Sequence, residues 1–215
     1  MKTFTIGKKK IVLKEEWMVG FITTWIVGLL AHAYRFFNFL PIWDSIYNFT
    51  RVGSTYTLGR WFLGYAGLIT SMFDLPWVNG AFSLFYISIV VILLTGMFEI
   101  KNKGMIVLCA AIFVSFPTVV SSFAYMYTAD AYLLAFLLAT LAVYLTWCVK
   151  KWGTIAGMVC LAFAMGIYQA YATVAIVLVL LYIIRQFVIE KLDFLEAVRK
   201  DLKYLGMLVG GAVLY

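Results

Sequence analysis

The sequence predicts an all-α fold, a polytopic membrane helical bundle of six complete spans plus a truncated seventh, with an outer interfacial helix. Three observations predict it. Hydrophobic residues make up 65% of the chain and charged residues 13%, with a mean hydropathy of +0.98, far outside the range of a soluble domain. The apolar residues fall in near-continuous runs. The charges are sorted between those runs. With the N-terminus inside, the inner segments carry 5 basic residues (Lys2, Lys8, Lys9, Lys10, Lys14), then 2 (Lys101, Lys103), 2 (Lys150, Lys151) and 5 (Arg185, Lys191, Arg199, Lys200, Lys203), leaving Arg35, Arg51 and Arg60 outside with Asp44, Asp74 and Asp130. This is the positive-inside pattern. It accounts for the net charge of +7 without a nucleic-acid partner, because the basic residues flank span ends and form no single soluble face.

Each element follows from these runs. Span 1 covers about 17–33. Ala31-His32-Ala33 mimics a cleavage site after an apolar stretch, but Trp17, Trp25 and two threonines in that stretch argue for an uncleaved helix. Residues 34–76 form an outer loop. Within it, 58–73 is apolar, and crossing there would place every later lysine cluster outside, so an interfacial helix is expected. Its Arg60, Gly64, Gly67 and Ser71 recur at helical spacing, as a ligand groove or as a close-packing surface against a neighbouring helix. Span 2 covers 77–98, span 3 105–123 and span 4 131–149. The run 153–189 would be about 55 Å long as one helix, so it should cross twice, with an outer hairpin at Gly166-Ile167-Tyr168-Gln169-Ala170-Tyr171. Residues 190–203 read as a cytoplasmic amphipathic segment. The remaining 12 residues reach about 18 Å, so the seventh span is expected to be cut short and the chain to be the N-terminal part of a longer module.

The candidate chemistry gathers on the outer face. Asp44, in Leu40-Pro41-Ile42-Trp43-Asp44-Ser45-Ile46-Tyr47-Asn48, is the leading candidate for a general base, since aromatic neighbours raise a carboxylate's basicity by desolvation. The alternative is a solvated loop or cap residue. Trp43 and Tyr47 can stack on sugar rings or anchor at headgroup depth. Asp130 is a second catalytic candidate, with helix capping or an ion pair as the alternative, and Asp74 reads as a cap. Arg51 and Arg60 flank Gly53-Ser54-Thr55-Tyr56-Thr57 and suit a phosphate clamp or contact with anionic lipid headgroups. His32, the one histidine, is either packed or substrate-facing. Gln169 can reach a substrate or bond across helices. Asn48-Phe49-Thr50 matches a glycosylation acceptor, a frequent chance match. Cys109, Cys148 and Cys160 show neither disulfide nor metal-ligand spacing, and there is no phosphate-cradling Gly-Lys motif, paired-acid motif or nucleophile elbow.

Several segments, in order, resemble the bacterial Gtr-II-type glucosyltransferases of the GT-C membrane glycosyltransferases. They are the outer Asp44 loop after span 1, Leu58-Gly59-Arg60-Trp61, Phe116-Pro117-Thr118, Tyr125-Met126-Tyr127-Thr128-Ala129-Asp130-Ala131-Tyr132 and Gly166-Ile167-Tyr168-Gln169-Ala170-Tyr171. The resemblance covers about residues 17 to 190 and implies a GT-C-like bundle in the bacterial cytoplasmic membrane. It implies a polyprenyl-phosphate sugar donor, an extracytoplasmic glycan acceptor such as O-antigen, donor-synthesising and flippase partners, and an acid of the first outer loop as base. Tyr127 and Tyr168, in two of these segments, join the substrate-binding set. Many relatives carry adjacent acids in that loop. Here Asp44 is followed by Ser45, so a divalent cation is left open. Two other classes compete. A transporter or flippase would place ionisable residues at mid-membrane, and a non-catalytic assembly subunit would copurify with a partner and bind no donor.

Overall fold

The computed structural model describes residues 2–6, 9–48, 58–70, 73–191 and 193–215. Two short strands, β1 (Lys2–Ile6) and β2 (Lys9–Leu13), pair antiparallel with Lys2 opposite Leu13. The all-α expectation did not include this hairpin, although its threonines and β-branched residues favour strands. The rest is helical: α1 (Glu15–Phe37), α2 (Trp43–Asn48), α3 (Leu63–Ala66), α4 (Pro76–Met97), α5 (Lys103–Ser115), α6 (Pro117–Ser122), α7 (Met126–Cys148), α8 (Gly153–Ile167), α9 (Ala172–Arg185) and α10 (Phe194–Leu214).

Four helical stretches are long and apolar enough to cross a membrane: Glu15–Phe37, Pro76–Met97, Lys103–Cys148 and Gln169–Glu190; Gly153–Ile167 is a shorter apolar helix. The stretch Lys103–Cys148 has 46 residues and is broken twice. Phe116 is extended before Pro117, as the proline ring requires of the residue before it. A 3₁₀ turn at Phe123–Tyr125 then leads into α7.

Small residues let the helices approach. The buried face of α1 is Gly20, Thr24, Gly28, His32 and Phe36, one residue per turn, and it lies against α4 and α5. A Cβ at Gly28 would run into Leu84 and sit 3.1 Å from Val114. Helix α7 is the central post, packed between α4 and α8, with Ala129, Ala131, Ala135, Ala139 and Ala142 buried. This is the close packing that small residues allow where lipid supplies no hydrophobic drive. Core residues Phe36, Leu84, Val114, Phe123 and Leu133 join α1, α4, α5, the turn between α6 and α7, and α7. Met97, Val143, Leu161, Leu178 and Met207 join α4, α7, α8, α9 and α10.

Two expectations change. Residues 58–73 form no continuous helix. Turns at 58–62 lead into the single α-helical turn α3 and a 3₁₀ turn at Gly67–Ile69. Gly59 has a φ of +75°, outside any right-handed helix, and Thr70 turns its hydroxyl back to the Gly67 carbonyl at 3.3 Å. Ser71 lies outside the described residues, and of the proposed stripe Gly67 is buried while Gly64 faces open space. The cytoplasmic amphipathic segment 190–203 and the apolar tail are one helix rather than two elements: α10 runs unbroken from Phe194 to Leu214, since nothing near Lys203 removes a backbone donor or demands a positive φ. The chain enters α10 through a π-helical turn, Gln186–Glu190, and Lys191 at φ +52°.

Candidate active site

At the end of the bundle that carries α2 and α3, a cavity of about 560 Å³ opens among Asp44, Arg60, Tyr127, Tyr132, Tyr168 and Tyr171, with Thr118, Ser121 and Ser122 on its rim. Four segments far apart in sequence build it. Asp44 sits in the first turn of α2 and is exposed. Ser45 fixes that turn, accepting from the Ile42 amide at 3.0 Å and donating to the Ile42 carbonyl at 2.8 Å. Arg35, at the end of α1, donates to the carbonyls of Leu40 (2.5 Å), Phe123 (2.8 Å) and Ala124 (3.2 Å). One guanidinium thus ties the approach to α2 onto the turn before α7.

The two short segments 58–62 and 166–171 dock on each other. The Phe62 amide donates to the Gly166 carbonyl at 2.8 Å, and the Gln169 amide donates to the Leu58 carbonyl at 2.7 Å. Gly166 is needed there: a Cβ would lie 2.6 Å from the Trp61 ring. This docking places the Arg60 guanidinium 4.5 Å from the centre of the Tyr168 ring, a cation–π contact, and 3.5 Å from the Tyr132 hydroxyl. Arg60 Nε is buried without a hydrogen-bond partner among the described residues. Tyr132, Tyr168 and Tyr171 form a triangle of rings with centres 5.6 to 6.5 Å apart. A carboxylate, a guanidinium and several hydroxyls therefore face one space, which suits a ligand with both an anionic group and hydroxyls.

Of the residues singled out in the sequence, the cavity brings together Asp44, Arg60, Tyr127 and Tyr168. Asp130 is not on its wall. It is 2% exposed and lies one turn inside α7, accepting from Thr70 Oγ1 and Asn79 Nδ2, both at 3.1 Å. It neither caps a helix nor makes an ion pair among the described residues; it fastens the segment before α4, and α4 itself, to α7. His32 is buried, its Nε2 2.8 Å from the Val114 carbonyl and its ring 4.6 Å from that of Phe123. Gln169 is spent on Leu58 and on the Tyr215 hydroxyl at 2.6 Å. Trp43 points away, 78% exposed. Arg51, and the Asn48-Phe49-Thr50 match beyond its first residue, lie outside the described residues, as does the side chain of Tyr47.

Asp74 is not a cap. Leu75 takes the N-cap position of α4 without a side-chain bond, and the Leu75 amide bonds Asn79 instead. Asp74 is buried, and neither carboxyl oxygen makes a well-aligned hydrogen bond with a partner among the described residues. Burial pushes its pKa up, and the nearby Arg35 charge and Ser45 hydroxyl oppose that shift. Sequence reasoning gave no role to Arg35, Thr70, Asn79 or the wall residues Tyr132 and Tyr171, although Tyr132 and Tyr171 lie in the 125–132 and 166–171 segments that carried the resemblance. Among the described residues no three His, Cys, Asp or Glu side chains cluster.

A family model described as Glucosyl transferase GtrII matches residues 33–215. No curated protein and no solved structure matches the chain.

Proposed function

The chain belongs to the GtrII glucosyl transferase family, and from that premise we propose that it moves a hexosyl group, in particular glucosyl, from a polyprenyl-phosphate donor to an extracytoplasmic glycan such as O-antigen or another surface polysaccharide. It is a membrane glycosyltransferase; the donor, the acceptor and the orientation, with the N-terminus inside, six spans plus a seventh and the Asp44 end outward in the bacterial inner membrane, are parts of the proposal. The observation that carries it is the single cavity shared by Asp44, Arg60 and the tyrosine wall.

The reaction needs a base for the acceptor, a cation for the leaving group and walls for two sugars. The acceptor hydroxyl gives its proton to the Asp44 carboxylate as its oxygen bonds to the anomeric carbon. The bond from that carbon to the phosphate oxygen breaks, and its electron pair leaves with the polyprenyl phosphate. The Arg60 guanidinium, on the cavity wall, stabilises the charge gathering there. Arg51 lies close enough in sequence to join the clamp. One displacement from opposite faces inverts the anomeric centre. Tyr127, Tyr132 and Tyr168 offer ring faces and hydroxyls to the sugars, and Trp43, exposed beside Asp44, serves as an anchor at headgroup depth. Asp130 holds the floor. Asp44 stands alone among the acids of the wall. A donor-synthesising enzyme and a flippase would supply the lipid from the inner leaflet.

The test is to incubate membranes holding the chain with a panel of polyprenyl-phosphate sugars and surface-glycan acceptors. Transfer from a polyprenyl-phosphate hexose, with inverted linkage by NMR, is the expected result. Transport of the intact lipid-linked sugar without transfer would overturn it.

A further inference from the structure

The polar cavity continues inward. A second cavity, of about 380 Å³, shares Thr118, Ser122, Tyr171 and Val174 with it. A third, of about 510 Å³, shares Ile112, Phe113, Phe136 and Val174 with the second. Val174 therefore lines all three. Joined this way, they make one groove with α5 and α9 as walls and α7 and α4 as floor, ending near Thr95 and Ile100. Along α9 the lining runs from Val174 to Leu181, about 10 Å of helix rise.

The chemistry changes along this path. Hydroxyls stop at the mouth, at Thr118 and Ser122. Farther in, the lining is aliphatic and aromatic except for Cys109 and three threonines, and each threonine turns its hydroxyl back on its own chain: Thr95 to Val91 at 2.8 Å, Thr140 to Phe136 at 3.0 Å and Thr173 to Ala170 at 2.6 Å. The inner groove offers an occupant hydrocarbon contact, the weakly polar Cys109 thiol and threonine hydroxyls already bonded to the main chain. The Phe113 and Phe136 rings, stacked with centres 5.5 Å apart, line both of its lower sections. At the mouth stands Arg60, with a buried guanidinium nitrogen that has no partner among the described residues.

We propose that this groove seats the hydrocarbon tail of the sugar-carrying lipid, phosphate at Arg60 and chain descending past Val174 between α5 and α9. The inference rests on the donor reading above and names where the lipid lies, a place the sequence had assigned to the 58–73 segment. Continuity selects the occupant. A cationic, hydroxyl-lined chamber leads into a single apolar path, which fits one unbranched-headed phosphate on one long chain better than a two-tailed phospholipid.

The experiment uses the whole chain in phosphatidylcholine nanodiscs with a polyprenyl phosphate carrying a photoreactive diazirine on its first isoprene units. Mass spectrometry of the labelled protein is expected to find the adduct on groove residues such as Ile112, Phe136, Val174 and Leu178. Unlabelled polyprenyl phosphate should lower that labelling by roughly tenfold, equivalent to about 1.4 kcal/mol, while phosphatidylethanolamine leaves it unchanged. Val174→Trp should cut labelling at Leu178, and Leu30→Trp, on the 79% exposed face of α1, should not. Adducts elsewhere, or equal competition by phosphatidylethanolamine, would overturn the groove. Wild-type sugar transfer with adducts elsewhere removes the groove and keeps the enzyme. Groove labelling without transfer from any donor does the reverse.

Discussion

At the Lys101 end of the bundle Glu15 pairs with Lys103, Glu99 with Arg185, and Glu190 with both Arg185 and Lys200, the last two at 3.2 and 3.0 Å. At the other end Asp44 and Arg60 face a shared cavity, and neither makes an ion pair among the described residues. The lysine-rich end uses these charges on each other, and such partly solvated pairs contribute little. The sparse end leaves two of its charges, Asp44 and Arg60, facing an open cavity. Unspent charge, more than charge itself, separates a site from an anchor here.

The largest effect expected from this contrast is at Asp44. Asp44→Asn should lower sugar transfer by about 10²–10⁴-fold, the scale of lost general-base catalysis, with expression and insertion unchanged. Arg60→Lys, which keeps the charge and loses the fork, should fall short of wild type by less. Full activity in Asp44→Asn would erase the contrast between the two ends. Next is Gly166→Ala. The added methyl meets Trp61, so about 1–3 kcal/mol of stability is expected to go, read as a lower melting point in detergent together with reduced transfer. A variant as stable as wild type would show that the 58–62 and 166–171 segments are not rigidly docked.

Asp74 gives a smaller, pH-dependent effect. Its pKa is raised in the folded chain, so ionisation opposes folding. Its favourable share is complete below the unfolded carboxylate value of about 3.9 and is lost as the pH climbs through the folded value. Asp74→Asn should therefore melt like wild type near that low pH and above wild type at neutral pH. A constant difference across the range would mean that the carboxyl titrates as it does in the unfolded chain. Smallest of all is Glu190→Gln at the lysine-rich end, expected to change stability by less than about 1 kcal/mol and transfer not at all. A large loss of transfer there would show that the two ends are coupled.

Much of this was legible in the chain. The apolar runs located the long helices, and the short Gly-Arg-Trp and Gly-Ile-Tyr-Gln segments pointed to the family whose model matches residues 33–215. Asp44 and Arg60 were readable as polar outliers beside apolar runs. That the two short segments meet was not, because the contact is made by main-chain groups and an absent Cβ, which leave no periodic trace. Asp130 looked catalytic because it is an acid near a run end. Its partners Thr70 and Asn79 lie 60 and 51 positions away, so only the fold could show that its oxygens are already committed. The fate of His32 was partly written in the sequence: it continues the four-residue spacing of Gly20, Thr24 and Gly28, the face that α1 buries. The 58–73 stripe followed the same spacing and misled, since glycine satisfies a small-residue pattern and breaks the helix that would display it.

Arg35 has a consequence for how such a chain can drift. All three of its acceptors are main-chain carbonyls, at Leu40, Phe123 and Ala124, and a carbonyl survives any substitution of its own side chain. Homologues are therefore free to vary at 40 and 124 while the clamp between the α2 approach and the α7 approach persists. The arginine itself has no such latitude: an ammonium in its place offers one point of attachment where three divergent donors are in use.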